Sequence, residues 1–583
     1  MTHYAYLFEA KGLQAFLGDT GRLIDLIGGS ELIASTAQSD GVDLLAELLE
    51  NFESETAPIP SRRSGGAFCL HGTNRATLVR LRTAWRLKLT ALRPGLAFAD
   101  VLTQGHDTPM EALRAAYETQ SGQRENGTAT LLPLAVPGCH VDPRTARPAV
   151  LTDVAGDKEF MDRVTALLRG TGRDLAQGEA ATDRVSLRFL DSETAKEYVF
   201  PRHFRIADAD KRNPAFPFEG PTQRIGVVHA DISGLGQIFM NLVDEAVATE
   251  TVYAVACGIE RAIEAAAREA MCALVLPAAV PRRGIVNVRM RATEHRRHAM
   301  LYGSASEDSP PKNARRIIPA RPVLLGGDDL TVILRADLAV PFARKFLELL
   351  ETHSKEALKS LREAGHPVGA EVLTACAGIA LVGSGHPYTM AAHLADSMCD
   401  TSKVVAKRGA CGGITPSCLI FASVESAVGD DYAAFRDREL TSPQTGTVLT
   451  GAPYAVGEIE APGFPRLSDL AQAARALETI QGIGKLFEAA REGAGDPARA
   501  YARFWLVLAT DEPCAFKRLA VTVAALTGQT PDIDALGQAD LQAAEAARQR
   551  ELPFLLDALE LIDTGVTRSV QPWGAEDRDE DAT

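Results

Sequence analysis

The sequence predicts an α+β protein in which a βαββαβ unit occurs twice, with helical segments between and after the two copies. Three observations carry this reading. Short apolar runs alternate with helix-period stretches in that order from Tyr4 and again from Arg224. Glycine pairs, Gly65-Gly66 and Gly326-Gly327, enter an apolar strand at matching points of both copies. A chain of 583 residues, 46% hydrophobic and 23% charged, has the composition of an ordinary folded protein and exceeds what one core can hold.

The first unit is placed at residues 1–120. Tyr4 to Glu9 reads as a strand, a helix starts near Leu13, and Gly65 to Leu70 forms one arm of a hairpin. A helix-like Ala76 to Leu87 and an apolar Leu96 to Leu102 complete it. Residues 121–222 break into Pro/Gly-rich connections with one helical patch, Phe160 to Leu168, and are read as a connecting domain. The second unit, 223–430, opens on the buried-strand run Ile225-Gly226-Val227-Val228, followed by a long helix from Leu235 to Leu274. Val323 to Leu325 and Leu330 to Leu334 flank a four-residue turn, a hairpin signal. Phe342, Phe346, Leu349 and Leu350 form an amphipathic helical stripe, and a strand near Ala377 to Leu381 and a helix from Tyr388 close the unit. Residues 431–572 are read as a helical C-terminal domain. The acidic stretch 573–583, with Glu576, Asp577, Asp579, Glu580 and Asp581, is read as a disordered tail.

A net charge of −15 argues against a surface that grips nucleic acid broadly, though not against a local basic groove. The N-terminus shows no signal-peptide pattern and no apolar run has the length of a membrane span. Nine cysteines without a CxxC pair fit a reduced, cytoplasmic compartment, and Cys139-His140 standing alone predicts no structural zinc. No P-loop, nucleophile elbow or dinucleotide fingerprint is present.

The chemistry concentrates in the second unit. Asp231 ends its first strand, and Asp328 and Asp329 lie at the hairpin that should pair beside it. Three carboxylates at one sheet edge, with Ile232 adjoining, suit two Mg²⁺ or Mn²⁺ ions, which prefer oxygen ligands. Gly326 and Gly327 let the turn take positive φ and a phosphate approach the backbone. The run Ile232-Ser233-Gly234-Leu235-Gly236 opens a helix whose free N–H groups can hold phosphate oxygens. Taken alone, Gly-Gly-Asp-Asp is a good β-turn; an acid ending the preceding strand moves the reading to a site. Lys403 falls off the buried Leu394–Met398 stripe and becomes a phosphate contact, where in isolation it would be a solvated lysine.

At these residues the second unit resembles the nucleotide-polymerising palm of the large subunit of type III CRISPR effector complexes, a relative of diguanylate-cyclase domains. Val228-His229-Ala230-Asp231, the Gly326-Gly327-Asp328-Asp329 hairpin, and Ala377-Gly378-Ile379 through Ala395-Asp396 to Lys403 carry the resemblance. The first unit is similar to that family's other palm through Leu13-Gln14-Ala15-Phe16, Arg22, Asp25-Leu26 and Gly29-Ser30-Glu31-Leu32-Ile33. The resemblance implies two ferredoxin-like palms that bind ATP or another NTP and join nucleotides into cyclic oligoadenylates. Guide or target RNA and other effector subunits would be partners. No N-terminal HD nuclease is expected, because the first strand starts at Tyr4. The first palm should be silent, with Ala67 and Phe68 where acids are needed, while a Gly29-Ser30 turn would still contact nucleotide. Two other readings stay open: a stand-alone synthase making a cyclic dinucleotide, and a non-catalytic scaffold of a ribonucleoprotein. A basic stretch from Arg282 to Arg321 either draws in triphosphates or RNA or is a solvated insertion.

Overall fold

The computed structural model describes residues 1–18, 20–37, 43–52, 57–64, 66–122, 134–154, 157–177, 183–204, 214–218, 223–244, 247–281, 315–410, 413–424, 431–443, 445–480, 496–533, 536 and 541–565. Helices and sheets are both well represented, so the chain is of mixed α+β class.

Strands β1 (Tyr4–Lys11), β2 (Ile59–Ser64), β3 (Ala67–Gly72) and β4 (Ala97–Leu102) form one antiparallel sheet in the order β2-β3-β1-β4. Helices lie between β1 and β2, between β3 and β4, and after β4. The helix Arg75–Leu92 starts where its chemistry dictates, with Asn74 Oδ1 accepting the Thr77 N–H at 3.2 Å. Alternation along β1 sends Tyr6, Phe8 and Ala10 to one face, against Phe68, Leu81 and Trp85, and Ala5 and Leu7 to the other, against Leu113 and Ala116 of the helix Pro109–Gly122. Phe8, Phe68 and Trp85 pack with ring centroids 5.0–5.1 Å apart.

Between the sheets lie β5 (Val150–Val154), paired with β6 (Asp157–Met161), and β7 (Tyr198–Val199). The helical patch expected from Phe160 begins later: Phe160 ends in β6, and the helix runs Arg163–Gln177. Asp162 caps it, its carboxylate accepting from the N–H groups of Val164 and Thr165.

The second sheet repeats the first and extends it. Strand β8 (Arg224–Ile232) is followed by the short β9 (Val280–Pro281) and β10 (Arg316–Ile317), which pair with one another and, through β10, with β7. Then come β11 (Ala320–Gly326), β12 (Asp329–Arg335), β13 (Ala375–Gly383), β14 (Ser417–Val424) and β15 (Tyr454–Val456). Their order is β11-β12-β8-β13-β14-β15, so β11, β12, β8 and β13 reproduce β2, β3, β1 and β4. The expected single helix from Leu235 to Leu274 is two, Leu235–Asp244 and Thr249–Ala270. The hairpin turn is tighter than expected: Gly326 pairs with Asp329, leaving Gly327 and Asp328 as the turn, with Gly327 at φ 67°.

The helices Thr249–Ala270 and Ala336–Glu363 cover one face of this sheet, and the helix Tyr388–Ala406 covers the other. Gly378 allows the last of these to lie close: a Cβ there would fall 1.9 Å from the Ala395 carbonyl oxygen. The helices Leu467–Glu478, Pro497–Asp511, Pro513–Thr527 and Leu541–Asp563 pack together after β15. Among the described residues no helix is long and apolar enough to cross a membrane. The acidic tail and most of the basic insertion, Arg282 to Lys312, lie outside the described residues.

Candidate active site at the β8–β12 edge

Antiparallel register places Asp329, the first residue of β12, directly opposite Asp231 on β8. Asp328 sits in the turn just beyond, tied down by its carbonyl, which accepts the Ile232 N–H at 3.0 Å. Two residues in from this rung, back along β8 and forward along β12 and hence on the same face, His229 stands opposite Thr331, with Nδ1 3.1 Å from Thr331 Oγ1. The helix Tyr388–Ala406 supplies the rest. Its Asp396 lies 3.2 Å from His229 Nε2, and Lys403, two turns further on, is ion-paired with Asp231 Oδ2.

Burial and crowding set the electrostatics. The Asp329 carboxyl is pushed up to about 7, first by burial and then by the negative charges of Asp328 and Asp231. Asp231 is raised too, because burial outweighs the Lys403 ammonium beside it. Burial alone would lower His229, but the hydrogen bond with Asp396 and the charges of Asp329 and Asp231 leave it raised. Asp396 is held low, by the His229 hydrogen bond above all.

The donor chemistry fits a hard divalent cation. Two carboxylates share one rung of the sheet, a third adjoins, and Asp231 Oδ1 is buried with no hydrogen-bond partner. Convergence is what is missing: among the described residues no three acidic, histidine or cysteine side chains are gathered for a metal. Asp231 is ion-paired instead with Lys403.

The remaining sequence-predicted residues separate into two groups. Ile232, Ser233, Gly234, Leu235 and Gly236 connect β8 to its helix directly beside the acids, with Ser233 N–H donating to Thr374 O at 2.8 Å and Gly234 at φ 77°. Leu235 is buried in the core, whereas a Cβ on Gly236 would meet nothing within 4 Å. Gly326 and Gly327 flank the acids in the hairpin. Gly29 and Ser30 are a correction. They form no turn but lie inside the helix Leu23–Ala37, buried, with Gly29 against Leu17 and the Ser30 hydroxyl donating to Val323 O. The turn that was to present them to a nucleotide is absent.

The first-unit counterparts also need correction. Glu9 pairs with Ala67, and Ala10 N–H donates to Gly66 O at 3.0 Å, as Ile232 does to Asp328. The positions matching Asp328 and Asp329 are therefore Gly66 and Ala67, not Ala67 and Phe68. Phe68 points to the opposite face, into the aromatic core. The absence of acids beside Glu9 stands. In the basic stretch, Arg321 is buried and ion-paired with Asp183, so it is no solvated member of a patch.

Sequence reasoning missed His229, Asp396, Thr331 and Gln14 as site residues. The signals were present: His229 is two residues from Asp231 on a strand, and Asp396 seven from Lys403 on a helix, spacings that share a face. Gln14 had no such signal. It reaches from the first unit to Thr331 Oγ1 at 2.9 Å and accepts from Tyr388 OH at 3.1 Å.

Fold and site together define an α+β protein built around two related sheets, the second of which carries a polar edge with three aspartates. No known family model matches the chain, and neither does any curated protein. Among solved structures the chain is similar to a Csm1–Csm4 cassette in complex with cA4, at TM-score 0.40 and 11% identity over 97% of this chain and 70% of that one. It is similar also to the Csm1–Csm4 subcomplex of the type III-A CRISPR-Csm interference complex, at TM-score 0.40 and 12% identity over 97% and 70%. A cassette with AMPPNP gives TM-score 0.38 and 12% identity over the same shares. Likeness at this level carries no argument about function, which rests on the geometry of the site.

Proposed function

We propose that the chain is a divalent-metal-dependent nucleotidyltransferase that joins ribonucleotides, ATP first among them, into a cyclic oligonucleotide messenger in antiviral defence. In this reading both sheets are ferredoxin-like palms, the second alone is catalytic, and the chain is a large-subunit relative from type III CRISPR effectors, working in the cytoplasm with guide or target RNA and other effector subunits. The observation that carries it is the rung Asp231–Asp329 with Asp328 one residue beyond, on the same face as Lys403. Crowding three neighbouring carboxylates, Asp231 and Asp329 half-buried and Asp328 exposed, costs stability and has no use in a scaffold.

Two Mg²⁺ or Mn²⁺ ions, when bound, would favour ionisation of an attacking 3′-hydroxyl and neutralise the leaving pyrophosphate. Asp231, Asp328, Asp329 and the main chain of Ile232 are the groups to hold them. Lys403, displaced from Asp231, becomes free to take a phosphate oxygen. The Gly327 turn keeps the backbone open to the triphosphate, and the His229–Asp396 pair fixes the face behind it.

The test is chromatography of products after incubating the full chain with each NTP and Mn²⁺ or Mg²⁺, beside the Asp328→Ala/Asp329→Ala variant. A cyclic oligoadenylate made by the wild type and not by the variant is expected. A cyclic dinucleotide would move the reading to a stand-alone synthase. No product from any NTP would leave a scaffold.

A further inference from the structure

The first sheet, whose hairpin carries no aspartates, brings a side chain up to the acid-bearing turn of the second. Arg62 lies on β2, yet its Nη2 is 3.9 Å from where a Cβ on Gly327 would stand, at the turn that carries Asp328. Its guanidinium carbon lies 5.2 Å from the ring centroid of Phe239, on the helix that follows β8. Tyr117, from the helix after β4, lies beside it, and Glu9 and Asp328 are the carboxylates whose charges hold its proton, against burial that alone would weaken it. The side chain remains partly exposed. In the second unit the matching position is Leu324, an apolar core residue, so the repeat by itself does not call for a cation here.

Seated on an aromatic ring, a guanidinium keeps donors to spare among its five N–H groups. Its planar fork matches phosphate geometry. We propose that Arg62 is a substrate-contacting residue donated by the first unit, taking a phosphate oxygen of the nucleotide held at the Gly327–Asp328 turn. This rests on the nucleotidyltransferase reading and adds to it a reason for the first sheet to be present. An arginine from one unit over the acids of the other makes the site complete only when both sheets are docked.

The test is calorimetric titration of Mg·AMPPNP into the full chain, comparing the wild type with Arg62→Ala and Arg62→Lys, with unfolding temperature recorded for each. Loss of a charge-assisted phosphate contact should weaken binding about tenfold to a hundredfold in Arg62→Ala. Arg62→Lys should recover part of it, since a point charge remains without the fork. Wild-type affinity in Arg62→Ala overturns the proposal. So does an affinity loss that appears equally in Tyr117→Phe, with both variants melting early, because that pattern marks a packing role. If the wild type makes product and Arg62→Ala binds and turns over normally, this inference alone fails. If the wild type binds no nucleotide, it falls together with the proposed function.

Discussion

The two sheets share more than strand order. Each carries a proline on its hairpin's first arm, Pro60 and Pro322, followed by a one-residue register shift at the same rung, where Pro60 faces Leu70 and Pro322 faces Val332. In both, the acid ending the first strand faces the helix that follows the fourth strand. That helix sends Gln120 to Glu9 in one unit and Lys403 to Asp231 in the other. The differences sit on one face. Leu7, Cys69, Gly66 and Ala67 in the first sheet stand where His229, Thr331, Asp328 and Asp329 stand in the second. Backbone geometry down to a bulge survives the replacement of an entire polar face, so the fold does not depend on the acids.

The widest gap expected between the units is catalytic. Asp328→Ala with Asp329→Ala should reduce product formation at least about 10⁴-fold, as loss of groups that act as a unit does elsewhere, with the far-ultraviolet spectrum unchanged. Ala67→Ser, at the rung matching Asp329, should leave the rate within severalfold. Comparable losses in both would make the units equal partners. The next gap is in packing. Phe68→Ala opens a hole beside Phe8 and Trp85 and should cost about 3–5 kcal/mol by denaturant titration. It should leave Mg·AMPPNP affinity at low temperature unchanged; a loss of affinity would return Phe68 to the site.

What the sequence disclosed follows from how local each signal is. Asp231, Asp328 and Asp329 were legible because strand ends and a glycine hairpin are short-range features, and pairing then brings them together. The duplication was legible at the same two points. The off-by-one match of Gly65-Gly66-Ala67-Phe68 arose because two glycine pairs look alike in sequence; the hydrogen bonds of Ala10 and Ile232 set the true register. Gly29 and Ser30 read as a turn from residue type, but the apolar surroundings of Leu26, Ile27, Leu32 and Ile33 bury that stretch as a helix. Arg62 and Gln14 could not be found at all. Their role comes from docking one sheet on the other, which no local pattern encodes.

Lys403 and Gln120 extend the comparison to a smaller effect. Lys403→Ala leaves the Asp231 carboxylate partly buried without its cation, and should cost about 1–2 kcal/mol in metal-free buffer. Mn²⁺ should restore more stability to that variant than to the wild type, since the ion then meets no ammonium on Asp231. Its KM for ATP should rise about tenfold, in keeping with a lost point charge. Gln120→Ala should move neither the Mn²⁺ response nor KM. Equal Mn²⁺ stabilisation of wild type and Lys403→Ala would show that the lysine and the metal do not compete.

The smallest expected difference is in how each edge responds to pH. Asp329 is held near 7 in the folded chain, against roughly 3.9 for an unfolded aspartate. A folded-state value above the unfolded one means that the native state binds the proton more tightly. Its contribution is fully present below about pH 4 and is lost as pH rises through about 7. His229, also raised and partly by Asp329, adds a loss of the same sign. In EDTA, Asp329→Asn should therefore be more stable than the wild type at pH 8, by about 1 kcal/mol, because Asp231 and Asp328 share the titration and part of the site is open to water. At pH 4 the two should be nearly equal. Buried carboxylates elsewhere, Asp557 at about 7 and Glu560 at about 8, lean the same way in both proteins, so only the gap between the curves reports on the site. Unfolding curves of wild type and Asp329→Asn that stay parallel from pH 4 to 8 would mean that the acids at this edge do not crowd one another. The contrast with the uncharged Gly66–Ala67 edge would then lose its electrostatic basis.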